Sequence, residues 1–248
     1  MVAQPSPTVP STALSGTGAK PKPVGPGRPK DLGKRSAILE AAKHLFPTHG
    51  FDGVSMDQIA AEAGVSKLTV YSHFGDKESL FTAAISVKCE EQMPAALFLD
   101  RLQGGLREQL TAIAGAFFAL VTSEEAIALH RMMMMPGTGD SKARELFWQA
   151  GPQRVTEEFA EFLRERAAMG ELVDLDDPHR AASQFFCLLK GEPHMQLMCG
   201  MCECLPAATE VQQHLDATVD LFMRAYGRRE SPSPDTAGAA PTARSGGE

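Results

Sequence analysis

Between residues 34 and 227 apolar positions recur every three to four residues, in blocks closed by Gly, Pro or Asp-rich breaks, and that period predicts helices throughout. From Lys34, the residues Ile38, Leu39, Ala42, Leu45 and Phe46 fall on one helical face, which stops near Gly50. Ser55 followed by Gln58 has the spacing of a capping box, and Met56, Ile59, Ala60 and Ala63 make the short apolar face of a second helix ending at Gly64. Ser66 is placed to cap a third helix that turns Val70 and Phe74 inward, and Gly75-Asp76 ends it. A fourth helix then runs to about Met93, where Pro94 stops it. The periodicity returns at about 104–121, 124–135, 140–169 (with Gly151-Pro152 as a candidate break), 177–197 and 207–227. The fold class expected is therefore all-α, with about nine helices.

Composition agrees with the pattern. The 248 residues are 43% hydrophobic, enough for a packed core, and few alternating β-branched runs accompany the 12 Met and the many Ala and Leu. Residues 1–33 and 228–248 are rich in Pro, Gly, Ser, Thr and Ala without periodicity, and both ends are expected to be disordered. The first 16 residues lack the charged start and apolar middle of a secretory signal. The longest apolar stretch, Leu110 to Val121, falls short of the ~20 residues a membrane span needs. A cytoplasmic protein with no membrane partner is expected, and its five cysteines then read as reduced thiols.

The formal charge of −7 argues against a nucleic-acid partner until its distribution is considered. Lys20, Lys22, Arg28, Lys30, Lys34 and Arg35 stand against Asp31 alone in the first 35 residues, leaving +5 there and −12 over the remainder. A basic arm ahead of an acidic body is a footprint of DNA-binding tails. Within the arm, Pro26-Gly27-Arg28-Pro29-Lys30 is similar to an AT-hook, in which Arg28 would enter an A·T-rich minor groove; a plain basic linker has the same composition.

Two short helices joined by a tight glycine turn form a helix-turn-helix, whose second helix enters the DNA major groove. At 100° per residue, Val70 and Phe74 face inward, leaving Lys67, Leu68, Thr69, Tyr71 and His73 for DNA. Lys binds phosphate or guanine, Thr and Leu meet a thymine methyl, and Tyr and His donate to phosphate oxygens.

At this point the chain resembles a known family. Ile38-Leu39-Glu40-Ala41-Ala42, Leu45-Phe46, Gly50-Phe51, Ile59-Ala60, Ala63-Gly64-Val65-Ser66, Thr69-Val70-Tyr71, His73-Phe74 and Lys77-Glu78-Ser79-Leu80-Phe81 look like the DNA-binding domain of the TetR family. The resemblance implies a homodimeric regulator, usually a repressor, released from a palindromic operator by a small-molecule effector. It divides the chain into a disordered arm at 1–33, a three-helix helix-turn-helix domain at 34–80, a helical ligand-binding and dimerisation domain at 81–227 and a disordered tail at 228–248. Thr69, Tyr71 and His73, with Ser55 and Lys77, match the family's usual DNA contacts, Lys77 as a phosphate ligand. Residues 36–88 depart from an attractive DNA surface, with four Lys, no Arg and six acidic residues.

A looser likeness to AefR-like C-terminal domains rests on Leu146-Phe147-Trp148-Gln149-Ala150-Gly151-Pro152, Gly170-Glu171-Leu172, Asp177-Pro178 and Leu188-Leu189-Lys190-Gly191-Glu192. It implies dimerisation through 177–197 and 207–227, where Phe185, Phe186, Leu189, Leu215, Val219, Leu221, Phe222 and Tyr226 supply apolar surface. It also implies an effector pocket among helices at about 94–170, with Phe117, Phe118, Met132, Met133, Met134, Met135, Phe147 and Trp148 as candidates because aromatics and thioethers line apolar cavities.

His194 with Cys199, Cys202 and Cys204 holds the residue types of a tetrahedral metal site or a thiol switch. No second spaced pair of Cys or His supports a metal framework, so small buried thiols near a loop are the expectation, with no metal and no cofactor. The chain has no phosphate-binding Gly loop, no nucleophile elbow and no His-Glu-x-x-His, which argues against an enzyme.

Overall fold

The computed structural model describes residues 31–98, 104–134, 141–202 and 204–228. Arg28 and the AT-hook-like segment, Met135, and the tail beyond Arg228 lie outside them. The described residues are all-α: α1 (Leu32–Gly53), α2 (Met56–Glu62), α3 (Lys67–Phe74), α4 (Lys77–Gln92), a 3-10 turn (Ala95–Phe98), α5 (Leu106–Thr122), α6 (Glu124–Met134), α7 (Ser141–Trp148), α8 (Arg154–Ala168), α9 (Pro178–Cys199) and α10 (Ala208–Tyr226). The only β pairing among them is a single bridge, Leu172 to Gly227, which ties the end of α10 to the loop after α8.

The caps fall where side-chain chemistry puts them. Ser55 and Gln58 form the reciprocal box of α2, Ser66 accepts from Thr69 N–H, and Asp76 accepts from Ser79 N–H. Accepting that backbone hydrogen bond is the chief reason the Asp76 carboxyl titrates below its ordinary value. Gly64, in the turn between α2 and α3, has φ +64, a conformation that costs an L side chain about 1–2 kcal/mol.

Two expectations are corrected. Gly151-Pro152 does not break its helix: a π turn over Gln149–Gln153 absorbs the missing proline N–H and carries α7 into α8. Conversely, α9 is kinked at Gly191 (φ 47, ψ −155). Pro193 cannot donate to the Leu189 carbonyl four residues earlier, and His214 of α10 takes its place, its Nε2 lying 2.8 Å from that oxygen.

The apolar faces pack into two cores. The first joins Ile38, Phe46, Ile59, Val70, Leu80 and Phe81 with Leu129 of α6 and Ala143 of α7. Phe46, Phe51 and Phe81 meet there with ring centroids 5.0–6.1 Å apart. The second is built by α5, α8, α9 and α10 around Phe117, Phe159, Phe185, Phe186 and Phe222. Most of the surface assigned above to dimerisation is this core: Phe185, Phe186, Leu189, Leu215, Val219 and Phe222 are each 5% exposed or less. The large apolar side chains left outside on α9 and α10 are Leu188 and Leu221, at 42% and 52% exposure, and Met195 beyond the α9 kink.

Candidate nucleic-acid interface and the cavity behind it

Val70 and Phe74 anchor α3 in the first core, and the opposite face is open: Leu68 is 79% and Tyr71 42% exposed. Thr69 is half-exposed, its hydroxyl 2.8 Å from that of Ser66, so the cap fixes the rotamer at the start of the helix. Lys67 is exposed but bound across to Asp57 of α2 at 2.9 Å, which raises its pKa through that hydrogen bond first and the charge second. Ser55 is exposed with its hydroxyl committed to the α2 cap. His73 is half-buried, and its Nδ1 is enclosed without a hydrogen-bond partner, so the ring belongs partly to the fold.

Lys77 departs from its expected role. Its ammonium donates to the carbonyls of Phe51 (2.9 Å) and Val54 (3.1 Å) and sits 4.3 Å from the Phe51 ring centroid, closing the C-terminal end of α1 rather than facing solvent. Sequence reasoning passed over Arg35, which lies on α1 above the end of α3 with its guanidinium 4.8 Å from the Phe74 ring. It was counted with the basic arm although it lies within the first helix, which begins at Leu32. Lys77→Met should lower the unfolding free energy by about 1–3 kcal/mol while leaving the salt dependence of DNA binding unchanged. A salt slope shallower by about one charge would restore Lys77 as a phosphate ligand.

Behind this face lies a cavity of about 270 Å³. Its walls are Phe46 and Pro47 of α1, Ile85 and Lys88 of α4, Phe117, Leu120 and Val121 of α5, Leu129 and His130 of α6, Phe147, Val155 and Lys190. Of the pocket candidates, Phe117 and Phe147 line it. Phe118 and Trp148, each turned 100° from a lining neighbour, do not: Phe118 packs toward His214 and Trp148 is 59% exposed. Met132 lies against Gly50, Met133 packs on the first core, and Met134 is exposed. The cavity thus reaches outside the expected 94–170 to α1, α4 and α9. The signals for it were a histidine inside the Met-rich helix and a lysine closing the apolar run before Gly191.

His130 and His194 face each other edge-on, ring centroids 6.0 Å apart. Burial lowers both pKa values, aided by the Lys190 charge, His194 to about 4. His194 thus pairs with His130, and among the described residues no three His, Cys, Asp or Glu could hold a metal ion. Cys199 and Cys204 are exposed and Cys202 half-exposed, not buried as expected. Between pH 6.5 and about 4 the unfolded chain takes up protons that the folded imidazoles refuse, so stability should fall as pH drops through that window. Denaturation midpoints from pH 7 to 4 should show a shallower decline for His194→Gln; an unchanged slope would count against a neutral buried His194.

Among the described residues no single helix is long and apolar enough to cross a membrane. Residues 38–84 match the model of bacterial regulatory proteins of the tetR family, and residues 108–228 that of the C-terminal domain of AefR-like transcriptional repressors. The chain is 27% identical over 171 residues to the transcriptional repressor ComR of Escherichia coli K12, covering 66% of this chain and 80% of ComR. Among solved structures it is similar to the flavonoid-responsive regulator FrrA (31% identity, TM-score 0.60, 79% of this chain and 98% of that one). It is similar also to a Mesorhizobium loti MAFF303099 protein assigned to the same family (28%, TM-score 0.62, 79% and 97%).

Proposed function

The chain belongs to the TetR family of DNA-binding transcriptional regulators, and from that premise we propose that it is a cytoplasmic homodimeric repressor, released from a palindromic operator when a small molecule fills the cavity. The observation that carries this is the composition of the cavity wall. Phe46 and Pro47 come from α1, which packs on the recognition helix, while Phe117, Val155 and Lys190 come from α5, α8 and α9, helices of the second core. A ligand that separates these walls must move the DNA-binding core against the rest. Repression is supported by the relative ComR, and response to a small molecule by the similarity to the flavonoid-responsive regulator FrrA.

Helix α6 is suited to pass the signal. His130 faces the cavity, Arg131 donates to the carbonyls of Leu197 and Met198 at the end of α9, and Met132 rests on Gly50 at the bend of α1. A Cβ at Gly50 would stand 2.7 Å from the Met132 sulfur, so Met132 rests directly on the α1 backbone there. Ligand binding acts by favouring the arrangement in which the two recognition helices no longer match one turn of B-DNA, about 34–36 Å.

Ala126→Phe, which places a ring in the cavity from α6, tests this reading. It should lower operator affinity at least about tenfold without ligand, equivalent to about 1.4 kcal/mol, with helix content retained by circular dichroism. Operator affinity equal to that of the unsubstituted chain would count against a cavity coupled to DNA binding.

A further inference from the structure

The cavity wall carries three lysines, and two are already neutralised. Lys43 pairs with Glu40 at 2.8 Å and Glu91 at 2.6 Å, and Lys88 with Glu125 at 3.5 Å; Glu40 and Glu125 are wall residues themselves. Lys190 has no carboxylate within ion-pair distance among the described residues. It stands immediately before the α9 kink, where His214 grips the Leu189 carbonyl and fixes the backbone that presents it. The groups around it are the two imidazoles, both held neutral by burial and by the Lys190 charge. His130 Nδ1 lies 2.7 Å from the Ala126 carbonyl and so carries the proton, which leaves Nε2 as an acceptor. The His194 Nε2 is enclosed without a partner. On a wall whose other lysines are each paired with a glutamate, Lys190 is thus a cation with no carboxylate beside it among the described residues.

We propose that the cavity selects an apolar molecule carrying a single carboxylate, its charge met by Lys190 and its body lying among Phe46, Phe117, Leu120, Leu129 and Phe147. This deepens the proposed function and rests on the cavity being the effector site. A monoanion fits better than a phosphate, because one cation balances one charge and the Glu40 and Glu125 carboxylates on the same wall oppose a second. A charge-assisted hydrogen bond in a half-enclosed site is stronger than a neutral one, and a cationic ligand would meet repulsion.

The test is calorimetric titration of the full chain with 2-naphthoate, 2-naphthylmethanol and 2-naphthylmethylamine, and with decanoate and decanol so that scaffold shape does not decide the result. Each acid should bind about ten- to a hundredfold tighter than its alcohol, with the amine weakest. In Lys190→Met the acids should fall to the level of the alcohols, whose affinity stays unchanged. An alcohol or amine that matches its acid, or a preference that survives Lys190→Met, overturns this inference alone, provided Ala126→Phe still abolishes alcohol binding. Alcohol binding that persists in Ala126→Phe, or no binding by any probe, overturns the cavity as effector site and this inference with it.

Discussion

Alanine at Thr69 and Tyr71 together is expected to weaken operator binding by about a hundredfold to ten-thousandfold. A bidentate base contact is worth about 1–3 kcal/mol; single hydrogen bonds and methyl contacts such as these, taken at about 0.7–1.4 kcal/mol each and made twice in a two-fold dimer, give about 3–5.5 kcal/mol, or about 10²- to 10⁴-fold. The loss should be specific. Tyr71 projects from the outer face at 42% exposure, and Thr69 contributes to the fold chiefly through its hydroxyl contact with Ser66. The unfolding free energy should therefore fall by no more than about 1 kcal/mol for the lost hydroxyl contact. Binding to unrelated duplexes, carried by phosphate contacts, should weaken less, by the share that the Tyr71 hydroxyl gives to phosphate. A uniform loss across specific and unrelated duplexes would indicate that α3 positions the protein without reading bases.

Leu188→Glu combined with Leu221→Glu is expected to yield monomers, and with them a loss of operator affinity of about 10²- to 10⁴-fold, the gain ordinarily supplied by linking two binding modules. Both leucines are exposed on the outer faces of α9 and α10, so the charges burden an isolated protomer little. Buried at a two-fold contact, four carboxylates would be desolvated close to one another. Sedimentation velocity reads the result directly. A doubly substituted chain that remains dimeric would place the contact on another face.

The choice of Leu188 and Leu221 shows where sequence pattern stops being informative. Periodicity located α9 and α10 and found their apolar residues, but one stripe of Phe and Leu looks the same whether it faces a neighbouring helix or a second copy. The chain spends Phe185, Phe186 and Phe222 on its own core, and only exposure separates them from Leu188. The helix-turn-helix was legible almost to the residue because caps are local chemistry: Ser55, Ser66 and Asp76 each satisfy a backbone N–H three positions on. The Lys77 contacts with the Phe51 and Val54 carbonyls were not legible, because a lysine at a helix start carries no mark of whether it meets a phosphate or a carbonyl from α1. The cavity was half legible for a similar reason. Phe117 and Phe147 could be named from type alone, whereas Phe46, Lys88 and Lys190 converge on it from distant segments through tertiary packing.

The central claim, a dimer that reads DNA through α3, is tested most directly by selecting bound duplexes from a random pool and weighing the complex formed with the winner. A palindrome whose half-sites lie about one helical turn apart, bound by two chains, is the expected outcome. An A·T-rich, non-palindromic winner bound by one chain would contradict it and assign the binding to the basic arm instead.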